Sequence, residues 1–221
     1  MKSWRRPRLS AIAELTDRDL VRLHWPAELR PAFDALFAID DALAEVVATS
    51  TQPVLGAIRL AWWREALERL DASAAPPEPR LQAAARELLP RGISGRNLAA
   101  LEDGWATLLD EQPDMKRVGA RGARLFAIGA GLLGTKDERL DAAGELHAYE
   151  QVRRKRLALI ERPAEQLQLL AGHRFSRRLR PLTAFARLAA RDAKQAPAIE
   201  PEATPGRAAA LLSHRLFGTI G

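Results

Sequence analysis

Three carboxylates in one apolar segment are the first residues of this chain that could carry chemistry. Asp40, Asp41 and Glu45 follow one another closely in the sequence. Asp41 and Glu45 are four residues apart, so they share a face if the segment is helical. Two acids on one helix, opposed by acids from another, can hold Mg²⁺, which prefers hard oxygen ligands. Solvated acids at this spacing are common, so the pattern indicates a metal site only if partner acids lie opposite.

A second candidate is the run from Arg59 to Arg64, which contains the adjacent residues Trp62 and Trp63. Neighbouring side chains point about 100° apart on a helix, so only one tryptophan can face the core squarely while the other lies at its flank. Both can simply be packing residues. Alternatively, they can form a cavity wall in which Arg59 or Arg64 binds an anion, because guanidinium groups bind phosphate bidentately.

The composition and the absence of common motifs exclude several kinds of catalytic and metal-binding site. The 221 residues include no cysteine, which excludes disulfides, thiolate metal sites and cysteine nucleophiles. The sequence also lacks a Gly-x-Ser-x-Gly elbow, a phosphate-binding Gly-x-x-x-x-Gly-Lys loop and a His-Glu-x-x-His pair. The net charge of +6 comes mostly from arginine. It suits a diphosphate, an anionic lipid or a nucleic acid, or it reflects only a preference for arginine on solvated faces.

The elements that must position these residues are predicted to be helices throughout. Apolar residues recur at helical spacing, and no segment alternates with period two, so the fold class is all-α. Proline, glycine and capping residues punctuate the pattern. The predicted helices cover residues 26–50, 53–70, 80–89, 95–108, 114–134, 137–160, 164–171, 176–194 and 206–217.

The domain organisation predicted from this pattern is simple. Residues 1–194 form one helical domain, residues 195–205 are a linker rich in proline and alanine, and residues 206–221 add a short helix to the same domain. Residues 1–10 are basic but lack the apolar run of a secretory signal, so a cytoplasmic protein is expected. The last helix, with Leu211, Leu212, Leu216 and Phe217, either packs on the domain or allows peripheral contact with the inner membrane.

Specific runs of residues resemble the squalene/phytoene synthase family. The most distinctive are Leu-Phe-Ala-Ile-Asp-Asp over residues 36–41 and Leu-Gly-Ala-Ile-Arg-Leu-Ala-Trp-Trp-Arg over residues 55–64. Shorter similarities occur at residues 122–126, 132–134 and 179–182, so the resemblance covers about residues 29–192. It implies an isoprenoid-synthase-like helical bundle around a central cavity. Active members of the family join two prenyl diphosphates, using Mg²⁺ held by two Asp-x-x-x-Asp motifs on facing helices.

The chain departs from the family pattern at both motifs. The resemblance places the first pair of aspartates at Ala44 and Ala48, and neither alanine can bind a metal. The helix that should carry the second motif has the basic run Arg153 to Arg156 instead. The chain therefore resembles more closely a divergent branch of the family, which lacks these aspartates and includes an assembly factor for mitochondrial respiratory complex I.

The resemblance predicts a non-catalytic protein with no cofactor, acting as a lipid-binding or assembly-factor scaffold. Its partners would be an isoprenoid or another lipid, or subunits of a membrane complex, and Arg59, Trp62, Trp63 and Arg64 are the candidate binding residues. The alternative is a Mg²⁺-dependent prenyltransferase, in which Asp40, Asp41 and Glu45 act with acids such as Asp103, Asp137 or Asp141. Nucleic-acid binding is a weaker alternative that depends only on charge.

Overall fold

The helices of this chain follow its apolar pattern closely. The computed structural model describes residues 15–158 and 163–221. Within them, eleven α-helices and three 3₁₀ turns at residues 27–29, 89–91 and 107–109 are present, and the one β-bridge joins Arg174 to Thr219. The helices are α1 Asp17–Arg22, α2 Arg30–Thr49, α3 Pro53–Arg69, α4 Pro79–Glu87, α5 Gly95–Ala99, α6 Glu102–Ala106, α7 Met115–Leu132, α8 Leu140–Arg154, α9 Ala164–Leu170, α10 Arg180–Gln195 and α11 Pro205–Phe217. The all-α prediction is confirmed.

The core is built around α2, whose apolar residues cover a broad face. Phe33 and Phe37 of this helix are fully buried and stack with Trp25, at ring-centroid distances of 4.7 Å and 5.7 Å. Phe185 of α10 lies 4.7 Å from Phe37. The indole nitrogen of Trp25 donates to the carbonyl oxygen of Pro181 at 3.2 Å. This aromatic cluster fixes α10 against α2.

The glycine-rich helix α7 packs closely against α8. A Cβ atom on Gly122 would lie 2.1 Å from the carbonyl oxygen of Gly144, and one on Gly144 would lie 2.3 Å from that of Gly122. No side chain fits between the two backbones at this crossing. Small residues at both positions allow this approach, and the close packing sets the position of the cavity-lining residues on α8.

Two predicted helices differ from the structure. The helix predicted over residues 95–108 is divided into α5, α6 and a 3₁₀ turn. The helix predicted over residues 137–160 begins at Leu140 and ends at Arg154, because Arg156 adopts a left-handed conformation with φ of 55° and Leu157 N–H donates to Val152. This termination normally uses glycine, so the sequence carried no signal for it. Residues 1–10 and residues 159–160 lie outside the described residues.

The segment predicted as a linker is fixed to the helices around it. Arg191 donates to Glu200 at 2.6 Å, and Ala203 N–H donates to Asp17 at 2.9 Å. These contacts connect α10 and α1 to the segment that precedes α11. Among the described residues, no helix is both long enough and apolar enough to cross a bilayer.

Candidate functional site

A cavity of about 400 Å³ lies among α1, α2, α8, α10 and α11. Phe185, Leu188 and Ala189 of α10 form an apolar wall. A polar wall is formed by residues of α8 at positions 147, 150, 151 and 154, which share one helix face at spacings of three and four. The volume falls in the range of small-molecule sites. The cavity therefore offers a ligand both an apolar surface and a polar one.

Five carboxylates line this cavity, and all five lie within 4.0 Å of an arginine nitrogen. They are Asp17, Asp41, Glu150, Asp192 and Glu202. We call their contacts with Arg18, Arg153, Arg154 and Arg207 the rim pairs. Arg18 donates to Asp41, and Arg153 donates to Glu150 at 2.6 Å. Burial raises the pKa of Glu150, and the hydrogen bond from Arg153 opposes this shift.

Arg207 is the most buried member of the rim pairs, with 1% of its surface exposed. Its guanidinium donates to both oxygens of Asp17, at 2.8 Å and 2.6 Å, and to both oxygens of Asp192. Burial alone would lower the pKa of Arg207, but its hydrogen bonds to Asp192 and Asp17 raise it above the ordinary value. Arg207 is therefore a permanent cation between two acids that face the cavity.

Asp40 does not face the cavity, because its side chain is completely buried in the bundle. It accepts hydrogen bonds from Trp105 Nε1 at 2.8 Å, Arg121 Nη1 at 2.7 Å and Gln151 Nε2 at 3.1 Å. The Arg121 guanidinium also lies 3.9 Å from the centre of the Trp105 ring. Burial opposes ionisation of Asp40, but Arg121, Trp105 and Gln151 lower its pKa below the ordinary value. We call these four residues the core network.

The structure does not bring the three predicted carboxylates together. Asp40 belongs to the core network, Asp41 lines the cavity beside Arg18, and Glu45 pairs with Arg80 of α4 at 2.9 Å. Residues 40 and 41 are adjacent on the helix and so point in different directions. Each acid has a different arginine partner.

The acids named for the alternative also lie elsewhere. Asp103 pairs with Arg117 at 2.7 Å, Asp137 lies 2.9 Å from His173, and Asp141 is exposed. None of the three lines the cavity. Over residues 15–158 and 163–221, no three histidine or acidic side chains are grouped so that they could hold a metal ion.

None of the predicted binding residues of α3 lines this cavity. Trp63 is 8% exposed and Trp62 is 45% exposed, and their rings meet edge to face at 5.3 Å. The expectation that one tryptophan faces the core and the other its flank is confirmed. Arg59 is exposed, and Arg64 lies 3.9 Å from Glu102 of α6. Helical spacing fixes the angle between these side chains but does not reveal which neighbouring helix they meet.

His147 lines the cavity, which the sequence did not reveal. Its ring lies between Phe126 and Phe185, at centroid distances of 5.6 Å and 5.2 Å. Burial lowers the pKa of His147 to about 3, so the imidazole is neutral at pH 7. Its Nε2 atom and the Oε1 atom of Gln151 are buried without a hydrogen-bond partner among the described residues. The periodicity of His147, Glu150, Gln151 and Arg154 along α8 was the signal that could have identified this face.

The rim pairs also contain residues that sequence reasoning missed. Asp17 and Arg207 are 190 positions apart, and Arg154 and Asp192 are 38 apart, so no local motif connects them. Chemically, the cavity offers neutral hydrogen-bonding groups, an apolar wall and carboxylates already neutralised by arginine. No family model, curated protein or solved structure matches this chain.

Proposed function

We propose that this chain is a divergent relative of the squalene/phytoene synthase family that does not catalyse prenyl transfer and acts as a lipid-binding or assembly-factor scaffold. The observation that carries this proposal is the set of rim pairs. A carboxylate must present its oxygen lone pairs to Mg²⁺ in an octahedral arrangement. Here each acid lining the cavity is close to a guanidinium instead.

The positions at which the resemblance requires aspartates support the same proposal. Ala44 is buried in the core, and Ala48 is exposed. On α8, Arg153 and Arg154 stand where the second motif requires acids, and both are bound to carboxylates. Binding Mg²⁺ would require breaking charge-assisted hydrogen bonds and placing the metal beside fixed positive charges, which repel it.

The lipid part of the proposal is supported by the mixed character of the cavity. Phe185, Leu188 and Ala189 offer an apolar surface to a hydrocarbon chain. Nε2 of His147 and Oε1 of Gln151 have no hydrogen-bond partner in the described part of the chain, which leaves hydrogen-bonding capacity near that wall. An amphiphile with a neutral hydroxyl head, such as a prenol, fits these neutral hydrogen-bonding groups and the apolar wall beside them.

Incubation of the purified protein with farnesyl or geranylgeranyl diphosphate and Mg²⁺ tests the non-catalytic proposal. We expect neither diphosphate release nor a lipid product. Mg²⁺-dependent turnover that is lost in Asp41→Ala and retained in Glu45→Ala would establish the prenyltransferase alternative. Glu45 is a suitable control because it is exposed and pairs with Arg80 away from the cavity.

Binding of a fluorescent prenol tests the lipid proposal separately. Ala189 lines the cavity and is nearly fully buried, so Ala189→Phe should fill part of the volume and weaken binding at least about tenfold. Ala57 on the surface of α3 supplies the control variant Ala57→Phe, which should bind as the wild type does. Equal affinity in all three proteins would place the lipid outside the cavity and contradict this part of the proposal.

A further inference from the structure

The last helix presents apolar side chains on two sides. Leu211 packs inside with 2% exposure, whereas Leu212, Leu216 and Phe217 are more than half exposed. Leu212 and Leu216 are four positions apart and therefore share one outward face. A row of large apolar side chains in water is unfavourable unless another surface covers it.

The sequence around this face is free of acids. From residue 166 to residue 191, and again from residue 203 to residue 221, the chain contains no aspartate or glutamate. The same two stretches contain eight arginines. They are Arg174, Arg177, Arg178, Arg180, Arg187, Arg191, Arg207 and Arg215.

The fold brings these two stretches together at the end of α11. Arg180 Nη1 donates to the carbonyl oxygens of Arg215 and Leu216, at 2.9 Å and 3.0 Å. Phe175 N–H donates to the carbonyl oxygen of Gly218 at 2.9 Å. The loop that carries Arg177 and Arg178 is therefore joined to the C-terminal end of the exposed row.

Several of these arginines have no acidic partner among the described residues. In the part of the chain that the structure describes, no carboxylate lies within 4.0 Å of a guanidinium nitrogen of Arg174, Arg177, Arg178 or Arg215. All four residues are exposed. We call these four arginines with Leu212, Leu216 and Phe217 the α11 face. It combines apolar side chains with positive charge that no carboxylate among residues 15–158 and 163–221 pairs with.

A comparison with α3 shows why the charge matters. Val54, Leu55, Ile58 and Trp62 form another exposed apolar row, but Glu65 and Glu68 follow it on the same helix, and Arg69 pairs with Glu65. Among the described residues, only the α11 face joins exposed leucine and phenylalanine to a group of arginines. That combination is complementary to the phosphate groups and acyl chains of an anionic bilayer.

We propose that the α11 face docks this protein peripherally onto anionic lipid bilayers, with Leu212, Leu216 and Phe217 entering the acyl region and the arginines contacting lipid phosphates. The surface lies outside the cavity, so this proposal does not depend on whether the cavity is catalytic. A protein partner for the same face is the competing outcome.

Sedimentation with lipid vesicles tests the proposal on the full chain. We expect binding to vesicles of phosphatidylcholine mixed with phosphatidylglycerol to be at least about tenfold tighter than to phosphatidylcholine alone, and to weaken steeply with added salt. No binding to the anionic vesicles, or equal binding to both kinds, would overturn it and leave a protein partner as the occupant.

Matched variants assign the binding to this face. Leu216 and Ile58 are both 61% exposed on helices, so Leu216→Glu and Ile58→Glu impose the same change at the two apolar rows. Leu216→Glu should lose about tenfold in vesicle affinity, and Ile58→Glu should lose less than about twofold. Replacing both Arg177 and Arg178 with glutamine should reduce the affinity and its salt dependence. Equal losses in the two glutamate variants, or unchanged salt dependence in the double variant, would refute the assignment.

Discussion

The core network and the rim pairs are two clusters of charge that the same fold uses in different ways. In the core network, the carboxylate of Asp40, which has no exposed surface, accepts hydrogen bonds from one guanidinium and two neutral donors on α6, α7 and α8. In the rim pairs, five carboxylates share four arginines around an open cavity. Asp40 and Asp41 are neighbours in sequence and belong one to each cluster.

The difference shows that an acid near a cavity need not be a ligand for a metal. The core network holds four helices in position, and its acid has no oxygen directed at the cavity. The rim pairs hold remote segments together, and their acids reach the cavity only as members of ion pairs. A sequence motif shows that acidic residues are present. It does not show which arginine, often remote in the sequence, pairs with each of them.

The largest expected effect comes from breaking the core network. Asp40→Ala would leave Arg121 charged and buried, with Nε and Nη2 already unpartnered among the described residues. Removal of one partner of a buried ion pair typically destabilises a protein by about 3–5 kcal/mol. Urea unfolding measures this loss.

Asp41→Ala is the matched control for Asp40→Ala. The side chains of Asp41 and Arg18 are about a third exposed, and such pairs contribute roughly 0–1 kcal/mol. Similar losses of unfolding free energy in the two variants would contradict the distinction between the clusters. The double replacement Asp40→Leu with Arg121→Met should recover much of the loss, because an apolar pair leaves no buried charge.

A smaller effect is expected at Arg207. Arg207→Met would leave Asp17 and Asp192 close together without their shared cation, although Arg154 still contacts Asp192 at 3.1 Å. We expect a loss of about 2–3 kcal/mol in unfolding free energy, below that of Asp40→Ala because a second arginine remains. Arg80→Met, which breaks the exposed pair with Glu45, is the control and should cost less than about 1 kcal/mol. A loss at Arg207 no larger than that at Arg80 would show that the rim pairs are not structural.

The smallest of the three effects is a dependence of stability on pH. Burial lowers the pKa of His147 to about 3 and that of His214 to about 4, against 6.5 in the unfolded chain. The unfolded state therefore binds more protons below pH 6.5, and stability falls as the pH decreases from 7 towards 4. His147→Phe should reduce the loss between pH 7 and pH 5 by about 1–2 kcal/mol, leaving the parts due to His214 and to His24, whose pKa burial also lowers. An unchanged pH dependence would contradict the burial of a neutral His147.

Much of the fold was predictable from the sequence because its signals are local. Apolar spacing and Pro53, Pro79 and Ser94 located helix starts to within a few residues. The end of α8 was not predictable, because Arg156 takes a conformation for which a glycine is the usual signal.

The residues that line the cavity were not predictable, because its rim joins α1 to α11 across nearly the whole chain. The α3 run was prominent in the sequence, but the structure places it outside this cavity. Nothing in the sequence around His147 indicates a position at the cavity. Its position follows from the packing of α8 against Phe126 and Phe185. Local patterns therefore located the helices, and long-range contacts located the site.

Mn²⁺ takes the same oxygen ligands as Mg²⁺. Its binding therefore tests most directly whether the ion pairs with arginine keep the carboxylates of the cavity from binding a divalent metal. Electron paramagnetic resonance of free Mn²⁺ would be recorded with and without the protein, in the absence and in the presence of inorganic diphosphate. We predict that the protein leaves the free Mn²⁺ signal unchanged in both conditions. A saturable, stoichiometric loss of signal that disappears in Asp41→Ala would contradict this account of the cavity. It would support the alternative of a Mg²⁺-dependent prenyltransferase.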